Sequence, residues 1–188
     1  MRIEEFESLL EGRSESQRIE FKTAHPWDVN LFAKDILALS NVRGGGYIIV
    51  GVDDKSFNRK GVSPNDLKTY DIDIMRDQMA PFADPHVSFE CKTIEDSKGL
   101  NYIVIEIFSF RDIPVICRRD DKNAEIYGGR VYYRNSNRRP ESAAISNSYD
   151  MRDLIETATI KMMQKKKEQE LDITNGKKDV LDKELGGL

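Results

Sequence analysis

The sequence predicts an α+β fold, in which a mixed, mostly antiparallel sheet packs with helices and a further helix follows at the C-terminus. Two observations lead to this prediction. The first part of the chain alternates segments of helical and strand periodicity, and a run of alternating strand segments follows. The 188 residues, 39% of them hydrophobic and 33% charged, suffice for one folded core with an appendage.

The N-terminal elements have clear boundaries. "IEEFESLLEG" predicts a short amphipathic helix ending at Gly12. "RIEFK" alternates strictly, so it predicts a half-buried strand with Glu20 and Lys22 on one face. Asp28 has the position of an N-cap for a helix through "VNLFAKDILALSN", which ends at the glycines of "RGGG". The apolar, β-branched "YIIVGV" then predicts a buried central strand.

The middle of the chain predicts one helix and two strand pairs. Ser63 as N-cap before Pro64 introduces a core helix from Leu67 to Met79. "HVSFECKTIE" and "LNYIVIEIF", joined by "DSKG", predict a hairpin. "IPVICRR" and "RVYYRN" predict a second pair around a charged loop.

A change of composition near Ser148 divides the chain into a domain over residues 1–148 and an appendage over residues 149–188. We expect a long helix from about Tyr149 that frays at "TNGKK" into a mobile charged tail. Its apolar set favours packing on its own domain, and the alternative is a homodimer seam. The set comprises Met151, Leu154, Ile155, Ala158 and Met162.

The charge distribution is uneven. A net charge of -4 argues against an indiscriminate basic nucleic-acid binder. Between Arg111 and Arg139, however, eight Lys/Arg face four Asp/Glu, a local charge of +4. A basic stripe is the footprint of phosphate binding, and the alternative is a solvated basic face.

Several classes of protein and site are not expected. No apolar run approaches the roughly 18 residues of a membrane span, and the acidic N-terminus is unlike a signal peptide, so we expect a cytoplasmic protein without membrane association. The cysteines and histidines lack zinc-site spacing, so any metal would have oxygen ligands. The glycines of "NVRGGGY" follow a helix and lack the lysine of a P-loop, so ATP is not expected as a cofactor.

Carboxylates mark a candidate site. Glu15 and Glu20 precede Lys22, and Asp53 and Asp54 lie at the exit of the central strand. If the two strands are neighbours, these carboxylates converge, and such a cluster usually binds Mg²⁺ or Mn²⁺. A metal there would activate water against a phosphodiester, with Lys22 on a phosphate oxygen. The alternative is ordinary surface charges and a turn at Asp53, which spacing alone favours.

Longer motifs are more specific. "ESQRIEFK" contains E-x-x-x-x-E-x-K, and "GGYIIVGVDDKS" contains G-G-Y-x-x-x-G-V-D-D-K-S. Together with "IPVICRR" and "RVYYRNSNRRPESAA", these motifs resemble the Schlafen AlbA-2 domain over residues 1–148. Unlike eukaryotic Schlafens, which join two lobes and carry zinc, this chain has one lobe and no zinc spacing.

The resemblance implies a function and a set of site residues. In nuclease-active Schlafens the corresponding residues form a metal-binding triad that cleaves structured RNA. Here the resemblance implies Glu15, Glu20 and Asp54 as triad and metal ligands, with Lys22 as a phosphate contact. We therefore expect a divalent-metal-dependent endoribonuclease, acting on tRNA or rRNA and favouring RNA over DNA. The alternative is a non-catalytic DNA- or RNA-binding module of a regulator.

Arginines predict the nucleic-acid surface. Arg's planar fork suits phosphate oxygens, and Tyr132 or Tyr133 would stack on an unpaired base. The alternative is a strand with one core tyrosine and a solvated turn. The predicted basic wall comprises Arg118, Arg119, Arg134, Arg138 and Arg139.

Overall fold

In the computed structural model, residues 3–12, 15–136 and 140–185 are described, with side chains of residue 3 and residues 171–185 left out. The helices are α1 (Ile3–Gly12), α2 (Val29–Ser40), α3 (Pro64–Leu67), α4 (Ile72–Met79) and α5 (Ser148–Leu185). The strands are β1 (Ile19–Lys22), β2 (Gly46–Val50), β3 (Ala83–Asp84), β4 (Phe89–Glu95), β5 (Asn101–Ile107), β6 (Ile116–Cys117), β7 (Tyr132–Arg134) and β8 (Ser142–Ala144).

The main sheet has the order β1-β2-β5-β4. β1 pairs with β2 in parallel, and the β2-β5 and β5-β4 pairs are antiparallel. Two small antiparallel pairs, β3 with β6 and β7 with β8, lie outside it. The predicted α+β class with a mixed, mostly antiparallel sheet and a C-terminal helix is therefore confirmed.

A hydrophobic core packs on each face of the sheet, and alternate residues of the strands contribute to the two cores. On one face, Phe6 and Leu10 of α1 pack with Phe21 and Ile49 of the sheet. On the other face lies the larger core, which includes residues from α2, α4, the small strand pairs and Leu154 of α5. The central position of "YIIVGV" between β1 and β5 explains why nearly all of its side chains are apolar.

Helix α2 begins where the sequence predicts. Oδ1 of Asp28 accepts a hydrogen bond from the N–H of Asn30, as an N-cap does. Just before it, the Trp27 ring stacks on Phe32 with 4.7 Å between centroids, and its Nε1 donates to Gln78. At the other end, buried Asn41 donates to the carbonyls of Val115 and Tyr132.

Three local predictions differ from the structure. The helix predicted from Leu67 to Met79 is interrupted, because Asp71 caps a new helix by accepting from the N–H groups of Asp73 and Ile74. The strands of "IPVICRR" and "RVYYRN" do not form a strand pair with each other; β6 pairs with β3, and β7 with β8. Helix α5 continues through "TNGKK", where the sequence predicts fraying.

The apolar set of α5 divides between core and solvent. Leu154 is buried and Ala158 packs against the larger core, so part of the helix packs on its own domain. Met151, Ile155 and Met162 remain exposed. The domain boundary at Ser148 stays a prediction. Among the described residues, none of the helices combines the length and apolar content that a bilayer span requires.

The turn between α2 and β2 requires a glycine at position 45. Its φ is +68°, and a Cβ there would lie 2.0 Å from the backbone oxygen of Ile107. At Gly46 a Cβ would lie 2.5 Å from the backbone oxygen of Arg18. Close backbone packing thus accounts for these glycines of "NVRGGGY".

We predict that Gly45→Ala destabilises the protein by about 3 kcal/mol or more, because it adds a backbone clash to the cost of a positive φ. Gly99→Ala is the matched control. Its φ is +79°, but nothing lies within 4 Å of the added Cβ, so we expect a loss of only about 1 kcal/mol. Urea unfolding measures both; equal losses would contradict the packing argument.

Candidate functional site

Two neighbouring strands carry the first residues of the site. β1 and β2 pair in parallel, with Glu20 opposite Ile48 and Lys22 opposite Val50. Glu20 and Lys22 lie on one face, and Nζ of Lys22 is 3.5 Å from Oε1 of Glu20. The two strands are therefore neighbours, which is the condition for the carboxylates to converge, and the prediction that the two side chains share a face is confirmed.

Arg134 of β7 lies buried between the two glutamates. Its Nη1 is 2.6 Å from Oε2 of Glu20, its Nη2 is 3.3 Å from Oε2 of Glu15, and its side chain is only 1% exposed. Its Nε also donates to the carbonyl of Ser16. The prediction that Arg134 belongs to an exposed basic wall is therefore wrong. The structure buries it, because two carboxylates compensate the guanidinium for lost water.

Glu15 covers the open edge of the sheet. Its Oε1 accepts from the backbone N–H of Phe21 at 3.1 Å. Nη2 of Arg134 donates to the carbonyl of Ile19 at 3.2 Å. Both backbone groups belong to edge strand β1, so the Glu15–Arg134 pair satisfies hydrogen bonds that a further strand would otherwise make.

Asp35 of α2 completes the group, although the sequence motifs do not include it. Its Oδ2 lies 2.7 Å from Nζ of Lys22, and its side chain is 10% exposed. The sequence contains a signal for this residue, because Asp35 is a charged residue at a core-facing helical position one turn after Phe32. We call Glu15, Glu20, Lys22, Asp35 and Arg134 the ion cluster; it joins β1, α2 and β7.

The ion cluster changes the acidity of Glu20. Burial, and next the Asp35 carboxylate, raise the pKa of Glu20 to about 8, against the opposing influence of Arg134 and Lys22. Burial lowers the pKa of Lys22, but the Asp35 and Glu20 carboxylates outweigh it and the net pKa is raised. Lys22 is therefore a cation, and Glu20 holds a proton more readily than a surface glutamate.

The two aspartates after β2 have different surroundings. The Asp53 carboxylate accepts from the N–H and hydroxyl of Ser56 and pairs with Lys60 at 3.1 Å, which shapes the turn. Asp54 lines a pocket of about 230 Å³ together with Glu20 and Lys22. The remaining lining residues of that pocket are Phe21, Thr23, His25 and Leu31.

The expected metal triad is only partly assembled. Glu20 and Asp54 share the pocket, whereas Glu15 is not part of its lining and bonds to Arg134 and a backbone N–H. Within residues 3–12, 15–136 and 140–185, no group of three or more His, Cys, Asp or Glu side chains is arranged to hold a metal ion. With Glu15 held by Arg134, these three carboxylates do not converge as a three-ligand Mg²⁺ or Mn²⁺ site requires.

The other arginines that the structure describes in this part of the chain are exposed, unlike Arg134. Arg118 and Arg119 are exposed, and the Arg119 guanidinium lies 4.2 Å from the Phe82 ring centre. Arg130, which is not part of the predicted basic wall, is also exposed, 5.1 Å from the ring of exposed Tyr127. Arg138 and Arg139 fall outside the described residues.

The tyrosines predicted to stack on a base are buried. The hydroxyl of Tyr132 accepts from the N–H of Tyr127, and that of Tyr133 donates to Asp153 of α5. Both side chains belong to the larger core. The reason is that β7 packs on α2 and β8, which the local sequence did not reveal.

We predict that Arg134→Met costs about 3 to 5 kcal/mol of unfolding free energy, because it leaves the Glu15 carboxylate without its cation and the buried Glu20 carboxyl group without its hydrogen-bond donor. Arg118→Met removes an exposed arginine and should change stability by less than about 0.5 kcal/mol. Denaturant unfolding of both variants at neutral pH is the measurement. A loss as small as that of the control would show that the ion cluster does not support the fold.

The pKa of Glu20 predicts a pH-dependent stability. Between its ordinary value of 4.5 and about 8, the folded chain holds a proton that the unfolded chain has lost. The free energy of unfolding should therefore fall as pH rises through this range. Glu20→Gln should remove that slope, whereas Glu95→Gln, at an exposed position, should keep it. Unfolding curves from pH 4 to 9 measure it, and parallel profiles for wild type and Glu20→Gln would contradict it.

One solved structure gives a structural comparison. The crystal structure of the DIP2311 protein from Corynebacterium diphtheriae aligns with 76% of this chain and 26% of that chain, at 18% sequence identity and a TM-score of 0.49. This chain therefore spans about a quarter of that protein's length. No curated protein matches the sequence.

The family comparison covers the residues of the ion cluster. The family model described as Schlafen, AlbA_2 matches residues 15–141, a span that begins at Glu15 and contains Arg134. It also contains both motifs, with Glu20, Lys22 and Asp54. The match extends over more than half of the chain, so this protein belongs to the Schlafen AlbA_2 family.

Proposed function

We propose that this domain binds nucleic acid through an exposed surface formed by Arg118, Arg119, Tyr127 and Arg130, which we call the arginine surface. The observation that carries the proposal is the clustering of three exposed arginines and an exposed aromatic ring around one backbone contact. That contact joins β6 to the segment before β7, since the N–H of Cys117 donates to the carbonyl of Arg130.

Backbone hydrogen bonds hold together the segments that carry these side chains. The N–H of Gly129 donates to the carbonyl of Cys117, and the N–H of Arg118 donates to that of Phe82. A Cβ at Gly128 would lie 3.3 Å from the carbonyl oxygen of Arg118, so glycine permits this close approach. The surface is thus fixed by the fold.

The chemistry of the arginine surface suits a phosphate backbone. Arg guanidinium groups present a planar fork of donors to phosphate oxygens, and an exposed tyrosine offers a face for an unpaired base. Asp121 lies 3.6 Å from Arg119 and moderates the local charge. We therefore expect salt-sensitive binding of moderate strength. The preference for RNA over DNA stays a prediction, since guanidinium groups and a tyrosine face suit both nucleic acids.

Binding to labelled single-stranded RNA and DNA tests the proposal. Arg118→Ala with Arg130→Ala should weaken binding and reduce the slope of log K against log salt by about 0.7 for each phosphate that the variant no longer neutralises. Arg76→Ala, which removes a half-exposed arginine of α4, is the matched control. Fluorescence anisotropy over a salt series gives both quantities. An unchanged slope in the double variant would overturn this surface, and absence of binding by wild type would overturn the function.

Metal-dependent RNA cleavage is a second candidate. It is favoured by the pocket that Glu20, Lys22 and Asp54 share, in which a cation and two carboxyl groups face one space. Lys22 would hold a phosphate oxygen there. Asp54 lines the pocket, whereas the carboxylate of Asp53 is bonded within the turn to Ser56 and Lys60. Full assembly of the expected triad with Mg²⁺ or Mn²⁺ requires Glu15 and Glu20 to leave Arg134.

Incubation with labelled tRNA, rRNA and single-stranded DNA tests this candidate. We expect cleavage with Mn²⁺ or Mg²⁺, none with EDTA, and losses on the order of 100-fold in Glu20→Gln and Asp54→Asn. Glu95→Gln, at an exposed position, should cut as wild type does. Nucleic acid that is bound but left intact under every metal would leave the binding function and reject the nuclease.

A further inference from the structure

The two edges of the main sheet differ. The β1 edge is covered by Glu15 and Arg134, whereas no strand in the described part of the chain pairs with the outer side of β4. The carbonyl of Ser88 accepts from Phe108, and the N–H of Asp96 donates to Leu100, so even-numbered residues of β4 bond to β5. The odd-numbered residues therefore direct their N–H and C=O groups outward.

These outward groups form a hydrogen-bonding template. Phe89, Cys91 and Thr93 present them along a seven-residue strand that contains no proline. Nη2 of Arg76 donates to the carbonyl of Phe89 at 3.2 Å and occupies one position at the end of the edge. The remaining positions suit an added strand.

The side chains of β4 identify the strand that fits. Glu90 and Lys92 lie on the same face of the sheet on either side of Cys91, and Glu90 is exposed. Nζ of Lys92 lies 3.9 Å from the Glu106 carboxylate, which keeps its charge on that face. The segment Glu90-Cys91-Lys92 is complementary in charge to its own antiparallel copy.

We propose that β4 pairs with β4 of a second copy of this chain, antiparallel and centred on Cys91. This register places Glu90 of each copy opposite Lys92 of the other and joins the two four-stranded sheets into one. It pairs the backbone of Cys91 with that of Cys91 of the second copy. It also sets Phe89 opposite Thr93 of the second copy, where Arg76 yields the carbonyl of Phe89 to the incoming strand. The proposal is independent of the arginine surface.

Neighbouring registers are disfavoured by charge. In an antiparallel pair of β4 strands, residues whose backbone groups point outward must lie opposite each other. The nearest alternative registers are therefore centred one residue to either side, on Glu90 or on Lys92. A centre at Glu90 sets Glu90 against Glu90, and a centre at Lys92 sets Lys92 against Lys92. Like charges directly opposite each other destabilise a strand pair, so Cys91 is the preferred centre.

Sedimentation equilibrium over micromolar to millimolar concentrations tests the proposal. Wild type should dimerise, and Glu90→Lys and Lys92→Glu should each raise the dimer dissociation constant by about tenfold or more. The double exchange, Glu90→Lys with Lys92→Glu, should restore it, because the opposite charges again face each other. Thr93→Pro should also weaken the dimer, since it removes an outward N–H and no bond to β5.

Two variants serve as matched controls. Glu95→Lys makes the same charge change as Glu90→Lys at an exposed position of β4 on the other face, and it should leave the dimer intact. Ile155→Glu places a charge among the exposed apolar residues of α5 and should also leave the dimer intact. A monomer at all concentrations, a double exchange that fails to restore the dimer, or a dimer lost only in Ile155→Glu would overturn the proposal.

Discussion

A buried guanidinium between two carboxylates organises the candidate site. Arg134 reaches from β7 to β1, and its bonds extend to Glu15, Glu20 and two backbone carbonyls. Because the charge is buried, every partner must be held in place for the fold to tolerate it. The first motif of the family thus has a structural task in this chain, which is to close the open edge of the sheet and attach the last strands to it.

The motif residues have two kinds of surroundings. Glu15 is committed to Arg134 and to the backbone of Phe21, whereas Glu20, Lys22 and Asp54 also line a pocket. Membership of the family identifies the domain but not its activity. Any activity must be argued from the surroundings of these side chains. The proposed binding at the arginine surface and the proposed cleavage in the pocket can be tested separately, since they depend on different residues.

Much of the fold could be predicted from local patterns, whereas the ion cluster could not. Periodicity and capping predicted α1, β1 and α2, because their signals lie within a few residues of one another. Arg134 belongs to a basic segment, and its burial depends on carboxylates more than a hundred positions earlier in the chain. Asp71 likewise competes with the predicted helix through a local cap that periodicity overlooked.

The stacked pair of Trp27 and Phe32 gives the site an optical property. Trp27 is the one tryptophan of the chain, and Nζ of Lys22 lies 5.8 Å from the centre of the Phe32 ring on which it stacks. Indole emission from this protein therefore originates beside the ion cluster and from nowhere else in the molecule. The tryptophan fluorescence of the unlabelled chain is therefore a local reporter of the start of α2, next to Lys22 and the pocket.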